Sequence, residues 1–410
     1  MSNYSPSENR SRWEDGTMSE AEWTKVIEDY LAKDRENNGK VSPVPLEWDT
    51  TYSFPINESY VTEDFIRRFA NAIGNPDPLF HDPGYGKKTM WGSMITPPAF
   101  AASIANPGYF PEKAEIPGWV AFYGGTEHIN YKVIRPGDKF RVINKYLGFE
   151  EKTRPGKPYR LFTPRNQRTY INQYDEVVAV GIGNEVVTAT PPGMKRGPRK
   201  DPYENRKRHH YTKDELDMIH NAYEEELAGK WRRGAQTRYW EDVVEEEELH
   251  PVIKGPLDVS DAGSWLGMRS SGNMAFAIKY KALKPDLGRA IIDPETGEHH
   301  NAIDWHYLDS MARVTGLPYA ISNGAQNEAI IGHLLTNWMG DDGFVRRLLC
   351  EHRGVWFHGE TLWVKGKVTR KYIENGQHLI DIDAWSENIF DSNIKCTIAN
   401  ATVKLLSKAE

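Results

Sequence analysis

Two stretches of this 410-residue chain read as distant copies of one another, and that constrains the fold more than any other feature. A chain that repeats an element order is built from like units, each burying its own apolar face. In the first stretch, TYSFPINESYVTEDFIRRFANAIGNPDPLFHDPGYGKKTMWGSMITPPAFAASIA predicts a helix, an irregular Pro/Asp/Gly loop, and a short helix opening at Pro97-Pro98. In the second, HHNAIDWHYLDSMARVTGLPYAISNGAQNEAIIGHLLTNWMGDDG predicts a similar loop and a helix opening near Gly324. Strand-rich runs follow each: RPGDKFRVINKYLGF with YINQYDEVVAVGIGNEVV, and FHGETLWVKGKVTRKY with WSENIFDSNIKCTIANATVKLL. Each half therefore reads as loop, central helix, then several antiparallel strands.

Length agrees with two to three domains. Exchanging tyrosine for glycine in the 39% hydrophobic fraction gives about 42% apolar, slightly under an ordinary globular domain, so polar segments dilute real cores. A net charge of −7 with pI ≈ 6.0 argues against a nucleic-acid coat or an anionic-membrane binder. Cys350 and Cys396, the only cysteines, have no CxxC spacing and suggest a reducing compartment. The polar N-terminus and the lack of any 18-residue apolar run predict a soluble, cytoplasmic protein.

Ser19 and Glu22 have capping-box spacing, and Trp23, Val26, Ile27, Tyr30 and Leu31 follow at helical intervals. RENNGKVSPVPL then breaks the pattern, so a first domain is expected to begin near Trp48. From Lys195 to His210 the chain is strongly basic; a helix-like segment and the acidic run Glu245 to Glu248 follow. We read this as a solvated linker rather than a nucleic-acid patch. The expected division is a polar helical extension at 1–47, a first folded unit at 48–194, a charged linker with a helix at 195–240, and a second unit at 241–410.

The segment from Gly74 to Asp82, GNPDPLFHD, resembles the G-D-x-N-P-[IL]-H-x-D signature of the MaoC-like (R)-specific enoyl-CoA hydratases and acyl dehydratases, and Trp91-Gly92 with Thr96-Pro97-Pro98 continues it. The second half keeps the same frame from His306 through Ala312 and Gly316-Leu317-Pro318 to Asn323-Gly324. The resemblance implies an α+β fold of two tandem hot-dog domains, each a long central helix wrapped by antiparallel sheet, packed as a pseudo-dimer. It also implies that one half does chemistry while the other holds the acyl chain.

By that resemblance the first half is degenerate. Phe80 stands at the catalytic histidine's position, Asn75 at the aspartate's, and Pro98, with no N–H to donate, at that of the oxyanion-hole glycine. His81, shifted by one, reads as an ordinary loop histidine. Phe80, Pro98 and Ala102, together with Trp305, are expected to contact substrate. The second half keeps His306, an imidazole suited to moving protons near neutral pH, and Gly324, whose N–H at a helix start can donate to a thioester oxygen. The family's aspartate falls on Asn301, which cannot act as a base. Asp304, Asp309 and Glu328 are the carboxylates that could replace it. Glu328 lies among Ala325, Ala329, Ile330 and Leu334, so it is either buried and paired or exposed at the first helical turn. His299, His300 and His306 lack the spacing of a metal site, and no phosphate-cradling glycine motif occurs.

The expected activity is hydration of 2-enoyl-CoA or dehydration of 3-hydroxyacyl-CoA, with His306, Asn301, Gly324, Glu328 and Asp304 as catalytic candidates. No cofactor or metal is expected, since the substrate carries coenzyme A. The expected partner is the acyl-CoA alone, without nucleic acid or membrane, and a homodimer of the double hot-dog is left open. Two alternatives stand beside this reading: an acyl-CoA thioesterase of the same fold, and a non-catalytic acyl-CoA-binding subunit.

Overall fold

The structure, a computed structural model, describes residues 9, 12–38, 41–44, 61–107, 116–194, 203, 206–268, 276–277 and 291–409. The expected domain start at Trp48 and the first part of the basic linker, 195–202, lie outside the described residues. Among those described, strands β1 (Val41–Val44), β2 (Trp119–Asn130), β3 (Phe140–Glu151), β4 (Arg160–Asn172), β5 (Val177–Ala189) and β6 (Glu248–Lys254) precede a two-stranded ribbon, β7 (Ile291–Ile292) and β8 (His299–His300). Strands β9 (Phe344–His352), β10 (Leu362–Glu374), β11 (Gln377–Asn388) and β12 (Asp391–Lys404) follow.

Ten strands form one antiparallel sheet in the order β1-β3-β4-β5-β2-β9-β12-β11-β10-β6. Read outward from the β2–β9 seam, the two sides mirror each other: β2 answers β9, β5 answers β12, β4 answers β11 and β3 answers β10. The seam is short, pairing Glu127 with Leu349, His128 with Leu348 and Ile129 with Arg347. β1 pairs with β3, so the outer edge of the first half's sheet comes from residues before 48.

The duplication extends to single hydrogen bonds. Helix α2 (Glu63–Ala72) corresponds to α6 (Val259–Met268), each ten residues long, and a short helix follows each, α3 (Pro83–Gly86) and α7 (Asp309–Val314). Just ahead of them, Val61 N donates to Asp138 O and Leu257 N to Glu360 O, while Gly137 and Gly359 donate back to Val61 O and Leu257 O. The Asp138 and Glu360 side chains accept from Arg135 N and Phe357 N, respectively. Thr96 N bonds Ile134 O as Ser322 N bonds Trp356 O.

The copies differ in their central helices. In the second half, α8 (Gly324–Met339) runs 16 residues and is buried along its length. In the first half, the helix expected from Pro98 is a single turn, α4 (Ala101–Ile104). Ala99 sits at φ 66 in the left-handed region, and two prolines without N–H groups precede it, so no helix can propagate through this point. One apolar cluster runs from Phe65, Phe69 and Phe100 in the first half to Leu334, Leu348 and Val403 in the second, so the halves share a core.

The flanking segments pack onto this body. Helix α1 (Glu20–Asn37) opens with the Ser19/Glu22 capping box and buries Trp23 and Ile27 against Phe162 and Val187. Connector helix α5 (Lys213–Leu227) sends Glu226 inward, where it accepts from His333 Nε2 at 2.9 Å and from Asn337 Nδ2. His333 Nδ1 accepts in turn from Lys254 Nζ at 2.8 Å, and Lys254 also donates to the carbonyls of Ile73 and Gly74. Burial pushes Lys254 down to about 8 against the pull of Glu226. This chain ties connector, central helix, edge strand and first half together. Arg206 and Arg208 of the basic linker pair with Glu360 and Asp309 of the second half. Among the described residues no helix is long and apolar enough to cross a membrane.

Candidate active site

A buried polar cluster lies at the start of α8. Asn323 caps the helix; its Oδ1 accepts from Ala325 N at 3.1 Å and from Trp265 Nε1 at 3.0 Å. Gly324 follows. A Cβ there would lie 2.4 Å from Tyr123 Cδ1 and 3.0 Å from His352 Nε2, so the position demands glycine for space. One turn on stands Glu328, 0% exposed. Burial excludes the alternative of a solvent-facing carboxylate at the first turn.

Glu328 is held from both halves. His128 Nε2–H, on β2, donates to its Oε2 at 2.9 Å, and the Tyr123 hydroxyl donates to the same oxygen at 3.3 Å. Tyr123 also shares its hydroxyl with Thr126. His352, on β9, brings Nε2 to 3.6 Å from Oε1. Burial works to raise the Glu328 pKa, but His128 and His352 outweigh it and hold the carboxyl below its ordinary value. The site thus presents an ionised carboxylate in buried, low-dielectric surroundings, one turn from the N-terminus of the helix.

The other second-half candidates occupy the loop that leads into the helix. His306 ends a 3₁₀ turn, Ala302–His306, and both ring nitrogens are engaged: Nδ1–H donates to Ile321 O at 3.0 Å and Nε2 accepts from Trp305 Nε1 at 2.9 Å. Burial pushes its pKa down to about 4, so the ring is neutral. With neither nitrogen free, the expected role of His306 as the base that deprotonates water does not fit this geometry; it braces the Ile321–Ser322 segment just before the Asn323 cap. Asn301 caps its turn by accepting from Ile303 N at 3.3 Å, as Asn75 accepts from Asp77 N at 3.0 Å in the first half. Asparagine at the family's aspartate position is thus a turn cap in both copies. Asp304 is held by His300 Nδ1 at 2.7 Å, and Asp309 accepts from Ala320 N and Arg208. Of the three carboxylates considered, Glu328 is the one joined to the helix start.

In the first half, Phe80 and Pro98 line a cavity of about 50 Å³, closed on the other side by Thr336, Phe344 and Val345. Ala102 is buried within α4 and is not part of that lining. Trp305 does not line it either; its ring stacks on Phe122 at 5.7 Å and 5°. Among the described residues no group of three His, Cys, Asp or Glu side chains could hold a metal ion.

Sequence reasoning missed Tyr123, His128 and His352. The available signal was strand parity. Thr126 and His128 alternate inward on β2, and His352 shares the parity of Leu348 and Cys350 on β9. A histidine on the buried face of a strand needs a partner.

Comparison with known proteins agrees with this architecture. Residues 49–180 match the family described as FAS1-like, dehydratase domain region. The chain is 37% identical over 57 residues to a UPF0336 protein of Thermobifida fusca and 38% identical over 53 residues to one of Streptomyces avermitilis. Those matches span 38% and 35% of the relatives' lengths and 14% and 13% of this chain. Among solved structures, a MaoC-like dehydratase superposes with TM-score 0.60 at 15% identity, over 92% of this chain and 100% of that one. A conserved hypothetical protein from Mycobacterium tuberculosis with a double hotdog fold gives TM-score 0.51 at 12% identity, over 91% and 97%. With a dehydratase-region match over residues 49–180 and these superpositions, the chain has the double hot-dog fold seen in MaoC-like dehydratases.

Proposed function

We propose that this protein is a hydro-lyase acting on acyl thioesters, adding water to a 2-enoyl-CoA or removing it from a 3-hydroxyacyl-CoA. One observation carries the reading: a fully buried, ionised carboxylate, Glu328, lies one turn from the Gly324 N–H at the start of the central helix. That combination suits chemistry alpha to a thioester. The carboxylate takes the C2 proton, and the helix N–H meets the negative charge that develops on the thioester oxygen. Losing one such donor typically costs on the order of 10²–10³ in rate. In the hydration direction the same groups act in reverse order. The first-half cavity behind Phe80 and Pro98 is where we place part of the acyl group.

The test uses purified full-length protein incubated with crotonyl-CoA and with longer or aromatic enoyl-CoAs, and products resolved by mass. Addition of one water to the intact CoA ester is the expected result. Release of free CoA would identify a thioesterase, and no change with any substrate would identify a binding subunit.

A further inference from the structure

Dehydration moves two protons, one off C2 and one onto the departing C3 oxygen, and Glu328 alone accounts for the first. Its Oε2 is occupied by His128 and Tyr123, whereas Oε1 has no hydrogen-bond partner. His352 Nε2 is likewise buried without a partner and faces that oxygen at 3.6 Å. The ring's other nitrogen is tied to Thr397 Oγ1 at 3.1 Å, which fixes its orientation. Nε2 also lies 3.0 Å from where a Gly324 Cβ would stand, so the ring packs directly against the helix start. A buried donor and a buried acceptor that are left unpaired both destabilise the fold. Here they face each other just beyond bonding distance, beside the helix N-terminus, where one hydroxyl group could bond to both.

We propose that His352 is the second catalytic residue of this site, working opposite Glu328, and that His128 of the first half is the positioning residue that holds Glu328 ionised and aimed. The proposal rests on the hydro-lyase reading. In the dehydration direction, Glu328 Oε1 takes the C2 proton, and the C–H electron pair becomes the C2=C3 π bond. The C3–O bond breaks with its pair on oxygen, and the doubly protonated His352 ring gives its Nε2 proton to that oxygen, which leaves as water. Glu328 then holds the C2 proton and His352 is neutral. Passage of that proton from Oε1 to Nε2 restores both groups.

Among the described residues, the neighbours leave no rival for this role. His306 has both nitrogens engaged. Cys350, two residues before His352 on β9, is fully buried, and burial together with the Glu328 charge raises its pKa well above the usual thiol value, so it stays protonated. Among the described residues, the ionisable groups facing Glu328 are therefore His128 and Tyr123 from β2 and His352 and Cys350 from β9.

Two reactions separate the roles. Exchange of the C2 protons of butyryl-CoA in D₂O needs the base and the helix N–H but no acid at C3, because this substrate has no C3 oxygen. Hydration of crotonyl-CoA needs all three. His352→Gln should lower hydration by about 10²–10⁴, the usual range for a lost acid or base, and exchange by at least tenfold less than that. Glu328→Gln should lose both. His128→Asn should lower both and move the acidic limb of the kcat/KM profile to higher pH, because Glu328 loses the partner that holds its pKa down. His352→Gln that hydrates crotonyl-CoA at the wild-type rate overturns the assignment, as does an equal loss of exchange and hydration in a variant that melts like wild type. A wild-type protein inert in both reactions overturns the hydro-lyase reading itself.

Discussion

Gly324→Ala is the substitution whose outcome the structure determines most sharply. Helix propensity alone favours alanine, by at most about 1 kcal/mol even in a helix interior. Against that stands a Cβ placed 2.4 Å from Tyr123 Cδ1, an atom in the body of the ring rather than at the end of a flexible chain. To restore ordinary carbon contact near 3.5 Å the ring must retreat by about 1 Å. Its hydroxyl is anchored on Thr126 and Glu328, so the retreat strains or breaks those bonds. Overpacking of this kind costs about 1–3 kcal/mol, which outweighs the propensity gain. A misplacement of about 1 Å beside reacting groups lowers the rate on the order of 10²-fold. Chemical denaturation measures the first effect and crotonyl-CoA hydration the second. Tyr123→Ala removes the ring, so the Gly324→Ala/Tyr123→Ala double variant should be more stable than the sum of its single changes by roughly the clash energy. Gly324→Ala with wild-type stability and rate, or strict additivity in the double variant, would refute the steric argument.

The remaining expectations follow from the same residues. Burial holds His306 and His333 at about 4 in the fold, against 6.5 for the free side chain, so between those values the unfolded chain binds the extra protons. Stability should be full above pH 6.5 and fall as the pH drops toward 4, by up to about 3 kcal/mol per histidine, and His306→Gln should flatten that acid limb in denaturant titrations across pH. Glu226→Ala leaves Lys254 buried without its anion and should cost about 3–5 kcal/mol; an unchanged denaturation midpoint would show that α5 is not clamped through this contact. Asn301→Asp should leave kcat/KM for crotonyl-CoA unchanged because the position caps a turn, whereas a large gain in rate would return the family's aspartate chemistry to this loop.

Local patterns carried much of this protein's architecture. The Ser19/Glu22 box and the apolar spacing behind it specify α1 because capping and amphipathicity act within a few residues. The duplicated order of loop, helix and strands, and the positions of Gly324 and Glu328 one turn apart on a helix, are likewise contained in contiguous sequence. Even there a local signal misled: PPAFAASIA has helical composition, yet Ala99 takes the left-handed conformation and the helix shrinks to one turn. Docking of the two halves decided the rest. His128 meets Glu328 across 200 positions of chain, and it does so only because β2 and β9 join the two sheets along a three-pair seam. The same docking brings Tyr123 over Gly324. No periodicity or spacing within either half encodes such contacts, because they depend on the relative placement of surfaces that each half buries against the other. Whether a polar residue on an apolar helix is exposed, clamped or catalytic is set by what lands on it, and for Glu328 that was decided in tertiary structure alone.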